Sequence, residues 1–245
     1  MKELSVSTAG HTSMAGRGLA SRVLYTFARS IIAAFVRLYT RMRIDGFENL
    51  PSGPYVIAPI HRSNYDTPVT AALTKRRLRF MGKHTLWRRR PIGWLLSAFG
   101  GFPVTRGTAD REALRRCIEV LEGGEALVMF PEGERKSGPD VHPLKDGAAY
   151  VAARVGVPIV PVGIGGTERV MPVGSKFLYP RRVHVVIGRP LVVPGGHTGR
   201  IARSDIRETT ARLHVVLQQL FDEAQTRAGT PNRREELHPD QPSER

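Results

Sequence analysis

The chain reads as a single α/β domain, with a mixed, largely parallel sheet flanked by helices, and three observations point there. Short apolar runs bounded by proline or glycine recur along it; helical repeats fall between those runs; and 245 residues can bury one core without disulfides or metals. The expected organisation is a flexible start over residues 1–16, an amphipathic helical segment within 17–45, a main domain over 46–228 and a disordered tail over 229–245.

From Ser21 to Arg43 the pattern is helical. At about 100° per residue, Arg22, Thr26, Arg29, Ser30, Ala33, Arg37 and Thr40 share a narrow stripe, and Val23, Leu24, Phe27, Ile31, Ile32, Phe35, Leu38 and Tyr39 cover the rest. Arg29 and Arg37 interrupt the run before the ~18–20 apolar residues that a membrane span needs. A helix lying in a membrane interface is therefore expected, its basic stripe suited to anionic lipid; a helix packed on its own domain is the alternative. The first twenty residues lack the continuous apolar stretch of a signal peptide, so no secretion signal is expected.

Strand-like runs follow at Tyr55–Pro59, Leu78–Met81, before Arg106, at Glu125–Phe130, at Val157–Ile164 and at Val183–Ile187. Pro68 fits only the first turn of a helix, so Asp66 or a close neighbour is expected to cap a helix running to Leu73. Leu114, Cys117, Ile118 and Leu121 repeat at helical spacing up to the stop at Gly123-Gly124, which makes Cys117 a core residue. A small-residue helix from Asp146 to Arg154 and a closing helix from Ser204 to Ala228 complete the alternation, which gathers functional groups at one sheet edge.

Charge narrows the partners. Lys and Arg number 37 against 22 Asp and Glu, a net +15, so the natural partner is anionic. Nucleic acid is one such partner, and Lys75-Arg76-Arg77 and Arg88-Arg89-Arg90 raise it. Those runs lie beside Phe80, Trp87 and Trp94, however, and no helix-turn-helix, zinc-finger or RNA-recognition pattern accompanies them. A membrane surface is favoured over nucleic acid. Cys117 is the only cysteine, which excludes an intrachain disulfide framework and fits a reducing compartment.

The chemistry-bearing segment is His61-Arg62-Ser63-Asn64-Tyr65-Asp66, on the turn between a strand and a helix. A carboxylate on one imidazole nitrogen fixes the tautomer and leaves the other nitrogen to take a proton. No Gly-x-Ser-x-Gly elbow accompanies it, and the eight histidines form no His-Glu-x-x-His pattern, so no metal is expected. The base then acts on a substrate's own nucleophile or on water. Phe130-Pro131-Glu132-Gly133-Glu134-Arg135-Lys136-Ser137 is a second charged turn, in which Arg135 can hold a phosphate and Glu132 can accept from a hydroxyl or lock an arginine. Gly101 to Gly107, carrying Arg106, is a third.

With Val157-Pro158-Ile159-Val160-Pro161-Val162, these segments resemble the four ordered blocks of the glycerolipid acyltransferase family that includes bacterial 1-acylglycerol-3-phosphate acyltransferases. The resemblance implies transfer of a fatty acyl chain from acyl-coenzyme A or acyl carrier protein to a lysophospholipid hydroxyl, with no cofactor beyond that donor. It implies His61 as base and Asp66 as its orienting carboxylate. Arg106, Glu132, Gly133, Arg135 and, less centrally, Lys83 are implied to hold the acceptor's glycerol phosphate, and Val157, Pro158, Ile159, Val160 and Pro161 to shape the acyl side. Glycerol 3-phosphate or another polar lipid is the alternative acceptor. Peripheral or monotopic placement on the cytoplasmic face of the membrane is expected from the amphipathic segment, the single cysteine and the missing secretion signal. Two departures stand out: Ile60 precedes the histidine where the family often has a polar residue, and Glu134 and Lys136 flank Arg135 where it usually has Thr and Ser.

Overall fold

The computed structural model describes residues 19–88, 93, 100–104, 110–194 and 201–234. Among these residues seven strands form one sheet: β1 (Arg43–Asp45), β2 (Val56–Pro59), β3 (Leu78–Lys83), β4 (Gly101–Val104), β5 (Ala126–Val128), β6 (Ile159–Gly165) and β7 (His184–Ile187). Their order is β1-β7-β6-β2-β5-β3-β4, and every neighbouring pair is parallel except β6 with β7. Among the described residues the α-helices are α1 (Leu19–Tyr39), α2 (Asp66–Ala71), α3 (Asp110–Glu122), α4 (Gly147–Val155), α5 (Thr167–Val170) and α6 (Arg203–Ala228). The α/β architecture expected from the alternation of runs is the one found.

Parallel strands covered on both faces should be apolar throughout, and β2, β5, β6 and β7 are buried at every position. Alternate residues of one strand feed two cores. Val56 and Ala58 join Cys117, Leu121, Leu217 and Phe221 on the face covered by α3, α4 and α6. Tyr55 and Ile57 join Ala33, Val36, Val69 and Leu73 under α1 and α2. Burial raises the Cys117 thiol to about 12, which leaves it an inert core side chain. Helix α6 lies so close to β6 that a Cβ on Gly165 would stand 2.3 Å from the Ala224 carbonyl oxygen.

Helix α1 forms where the periodicity places it, and one edge of it packs on the domain. Arg29, Ala33, Val36 and Thr40 point inward; Arg29 donates to the Thr74 carbonyl at 2.8 Å and Arg37 to that of Ala72 at 2.8 Å. The stripe expected to meet anionic lipid thus satisfies carbonyls beyond the end of α2. The apolar face is the one left in solvent, with Phe27, Ile31 and Phe35 exposed and Leu38 78% exposed. No helix among the described residues is long and apolar enough to cross a membrane.

The tail begins later than its composition indicates. Asn232 donates to Asp222 at 2.7 Å, and Arg234 reaches both oxygens of Asp222 and the Asp140 carboxylate, so the chain stays on the domain through Arg234. These partners lie on other elements, which composition alone does not reveal.

Candidate active site

Three neighbouring strands, β6, β2 and β5, run parallel, so the turns after their carboxyl ends converge at one edge of the sheet. The turn after β2 carries His61 to Asp66, the turn after β5 carries Phe130 to Ser137, and the turn after β6 carries Gly166 and Thr167. Two of the three segments that were read for chemistry therefore meet in space, and the turn after β6 joins them.

Asp66 is fully buried and sits at the first residue of α2. The N-cap of that helix is the adjacent Tyr65, a close neighbour as expected. Asp66 Oδ2 turns back to accept from the backbone N–H groups of Arg62 at 2.6 Å and Ser63 at 2.7 Å, and meets His61 Nδ1 at 3.0 Å. Its Oδ1 accepts from the Thr167 hydroxyl at 2.6 Å. A carboxylate ringed by donors only accepts, so Nδ1 carries the imidazole proton and Nε2 keeps its lone pair. The ring is fixed in a second direction by Phe130, whose ring stacks on it at 4.0 Å between centroids.

Arg62 and Glu132 form a wholly buried pair, with Arg62 Nη1 at 3.0 and 2.8 Å from the two carboxylate oxygens. Arg62 Nη2 donates to the Asp140 carbonyl at 2.9 Å, the guanidinium stands 4.9 Å from the Phe221 ring centroid, and Glu132 Oε1 also accepts the His142 N–H at 3.0 Å. This corrects the expectation that Glu132 itself touches the acceptor. Both of its oxygens are bonded within the protein, and the side chain locks the arginine beside His61, the other role open to it in the sequence. The Lys136 N–H donates to the His61 carbonyl at 3.0 Å, so the second turn is sewn onto the first.

Gly133 takes φ 79°, the left-handed region, and a Cβ there would meet the Lys145 side chain at 2.7 Å. This bend leaves Arg135 exposed on the turn that borders His61. Lys83 ends β3, and Arg106 lies outside the described residues.

The run Val157 to Pro161 is placed differently from expectation. Pro59 pairs with Val162, so Val157 lies seven residues before the level of His61, about 20 Å along the strand at roughly 3.3 Å per residue. Ile159 and Val160 are fully buried in the two cores. The run leads into β6, an interior strand that starts at Ile159 and pairs with the central β2.

Thr167 was not singled out in the sequence. The signal available was a Gly-Thr pair just after a buried strand, which is too common to stand out. The Gly166 N–H donates to Gln225 Oε1 at 3.0 Å and Gln225 Nε2 to Glu168 at 2.8 Å, so α6 holds the Thr167 turn in place. Burial, with the Asp66 charge adding to it, raises the Glu168 carboxyl above the usual range. Thr167→Val, which keeps the shape and removes the hydroxyl, is expected to lower kcat about tenfold with KM unchanged, and Thr167→Ser to restore it, by steady-state kinetics.

Ser63, the serine on the turn that carries His61, is buried and donates to the Met171 carbonyl at 2.9 Å, so it is not poised as a nucleophile. Among the described residues no cluster of His, Cys, Asp and Glu could hold a metal ion.

The chain is 35% identical over 153 residues to a chloroplastic 1-acyl-sn-glycerol-3-phosphate acyltransferase of Brassica napus, covering 60% of this chain and 44% of that protein. It is 28% identical over 207 residues to the 1-acyl-sn-glycerol-3-phosphate acyltransferase of Bacillus subtilis, covering 83% and 98%. The chain thus spans less than half the length of the chloroplast relatives it matches. Its fold is similar to the crystal structure of the 1-acyl-sn-glycerophosphate acyltransferase of Thermotoga maritima, with TM-score 0.60 and 23% identity over 81% of this chain and 88% of that one. The acyltransferase family model matches residues 41–165, just over half of the 245 residues. Because that match takes in the strands and turns that bring His61, Asp66 and Glu132 together, the chain belongs to the acyltransferase family.

Proposed function

We propose that this protein moves a fatty acyl chain from a thioester donor, acyl-coenzyme A or acyl carrier protein, to the free hydroxyl of 1-acylglycerol 3-phosphate. The observation that carries the reading is the His61–Asp66 pair, a held base beside which the only serine of the turn is occupied elsewhere. The acceptor hydroxyl gives its proton to His61 Nε2 as its oxygen attacks the thioester carbonyl. The C–S bond then breaks, and the departing thiolate takes the proton back from the imidazolium. The donor is a co-substrate, and the mechanism uses no further cofactor. The relatives' names support lysophosphatidic acid as the acceptor. Arg135, with Arg106 and Lys83, supplies cations for its phosphate.

The outward apolar face of α1 supports a peripheral or monotopic attachment to a membrane, on its cytoplasmic face. Its acceptor is itself a lipid, so attachment brings the turn that holds His61 to its substrate. Acceptor identity is tested by offering lysophosphatidic acid, glycerol 3-phosphate and a glycolipid in turn, with each donor, and identifying products by mass spectrometry. Phosphatidic acid as the main product is expected; a dominant product from another acceptor would overturn the assignment.

A further inference from the structure

The segment from Arg169 to Arg182 is used neither by the sheet nor by the chemistry. Its base is closed by backbone hydrogen bonds, with the Tyr179 N–H donating to the Val170 carbonyl at 2.8 Å and Ser175 N–H to that of Pro172 at 3.0 Å. Ser175 Oγ also accepts the Phe177 N–H at 3.0 Å. This ordered loop nonetheless holds Val173 and Phe177 78% and 75% exposed. Large apolar side chains on a tied-down loop mark a surface that meets something apolar.

Two further observations say what that is. The segment contains Arg169, Lys176, Arg181 and Arg182, all exposed, and no acidic residue. It also joins the exposed face of α1. Tyr39 Oη donates to the Leu178 carbonyl at 2.8 Å, Phe35 stacks on Tyr39 at 5.1 Å, and Leu178 packs into the core beneath α1. Apolar tips on a segment that carries four exposed cations, tied to an outward apolar helix face, match the layered chemistry of an anionic bilayer, with headgroups above acyl chains.

We infer that the Arg169–Arg182 loop is a second membrane-docking element, inserting Val173 and Phe177 while its cations bind anionic headgroups. The inference rests on the membrane reading of α1. The loop also neighbours the catalytic turn, since Ser63 donates to Met171 at 2.9 Å. Docking at this site therefore turns the His61 side of the domain toward the bilayer, so a lipid acceptor reaches the base without leaving its leaflet.

The test is co-sedimentation of the full chain with phosphatidylcholine vesicles, with and without phosphatidylglycerol. Wild type is compared with Phe177→Asp, the gentler Phe177→Ala, a Lys176→Ala/Arg181→Ala/Arg182→Ala variant and the α1 variant Leu38→Asp. Phe177→Asp is expected to lower the partition coefficient about tenfold or more on both vesicles, with an unchanged thermal melt. The triple variant is expected to lose about fivefold per charge on phosphatidylglycerol vesicles alone. Unchanged binding by both Phe177 variants, while Leu38→Asp weakens it, would remove the loop from the membrane and leave α1 there. No vesicle binding by wild type would overturn both readings. Intact vesicle binding by Phe177→Asp, with a lost dimer in sedimentation velocity, would assign the surface to a second copy of the chain and overturn the inference.

Discussion

Asp66→Asn is expected to lower kcat by roughly three to four orders of magnitude while leaving acceptor KM nearly unchanged. The wild-type carboxylate accepts from His61 Nδ1, two backbone N–H groups and the Thr167 hydroxyl. An amide of the same size has one accepting oxygen and must point N–H groups at a set of donors. Rotated either way, it leaves a buried donor unmet or offers an N–H to Nδ1. In the second case the imidazole adopts the other tautomer, with its proton on Nε2, where the acceptor hydroxyl needs a lone pair. The effect lies on the chemical step and not on binding, so kcat carries it. Steady-state kinetics with circular dichroism on the same samples checks this; a loss confined to KM would contradict the orienting role.

The second large effect is on stability. Glu132→Ala leaves the Arg62 guanidinium buried without its carboxylate, which costs about 3–5 kcal/mol. At about 2–4 °C per kcal/mol for a domain of this size, the melting temperature falls by roughly 10 °C. Replacing both members, as Arg62→Met with Glu132→Leu, is expected to recover most of that loss, because the expensive species is the unpaired charge and not the missing bridge. Thermal melts of the single and double variants decide it. Equal destabilisation in both would mean that the contacts of Arg62 with Asp140 and Phe221 matter more than the pair.

The strands that carry the site were legible because each is an apolar run with a proline or glycine boundary, and a buried parallel strand has little other way to be written. β1 was not legible. It has three residues, Arg43, Ile44 and Asp45, at the sheet edge, and exists because Arg43 to Asp45 find their register against β7. α5, at four residues, is too short for any period to show. His61 and Asp66 were readable together because five residues across one turn bring them into reach. The burial of Arg62 was not readable, since its partner lies 70 positions away.

Helix α1 shows a different limit. Periodicity fixes which residues share a face but not which face turns inward. Breadth of apolar surface normally decides that, and here Arg29, Ala33 and Thr40 of the narrow stripe are buried beside Val36, with Arg29 and Arg37 bonded to the carbonyls of Thr74 and Ala72. The run at Val157 to Pro161 shows the same limit along a strand. Its residues are those of the resembled block, yet position along β6 sets what they touch, and position comes only from register with β2.

The most direct measurement follows thiol release from palmitoyl-coenzyme A by wild type and His61→Ala, with lysophosphatidic acid in liposomes as acceptor and the lipid product identified by mass spectrometry. The expected result is acceptor-dependent release by wild type, phosphatidic acid formed in step with free thiol, and a rate at least about a hundredfold lower in His61→Ala. Release that needs no acceptor, or that proceeds at the wild-type rate in His61→Ala, would contradict acyl transfer through this base.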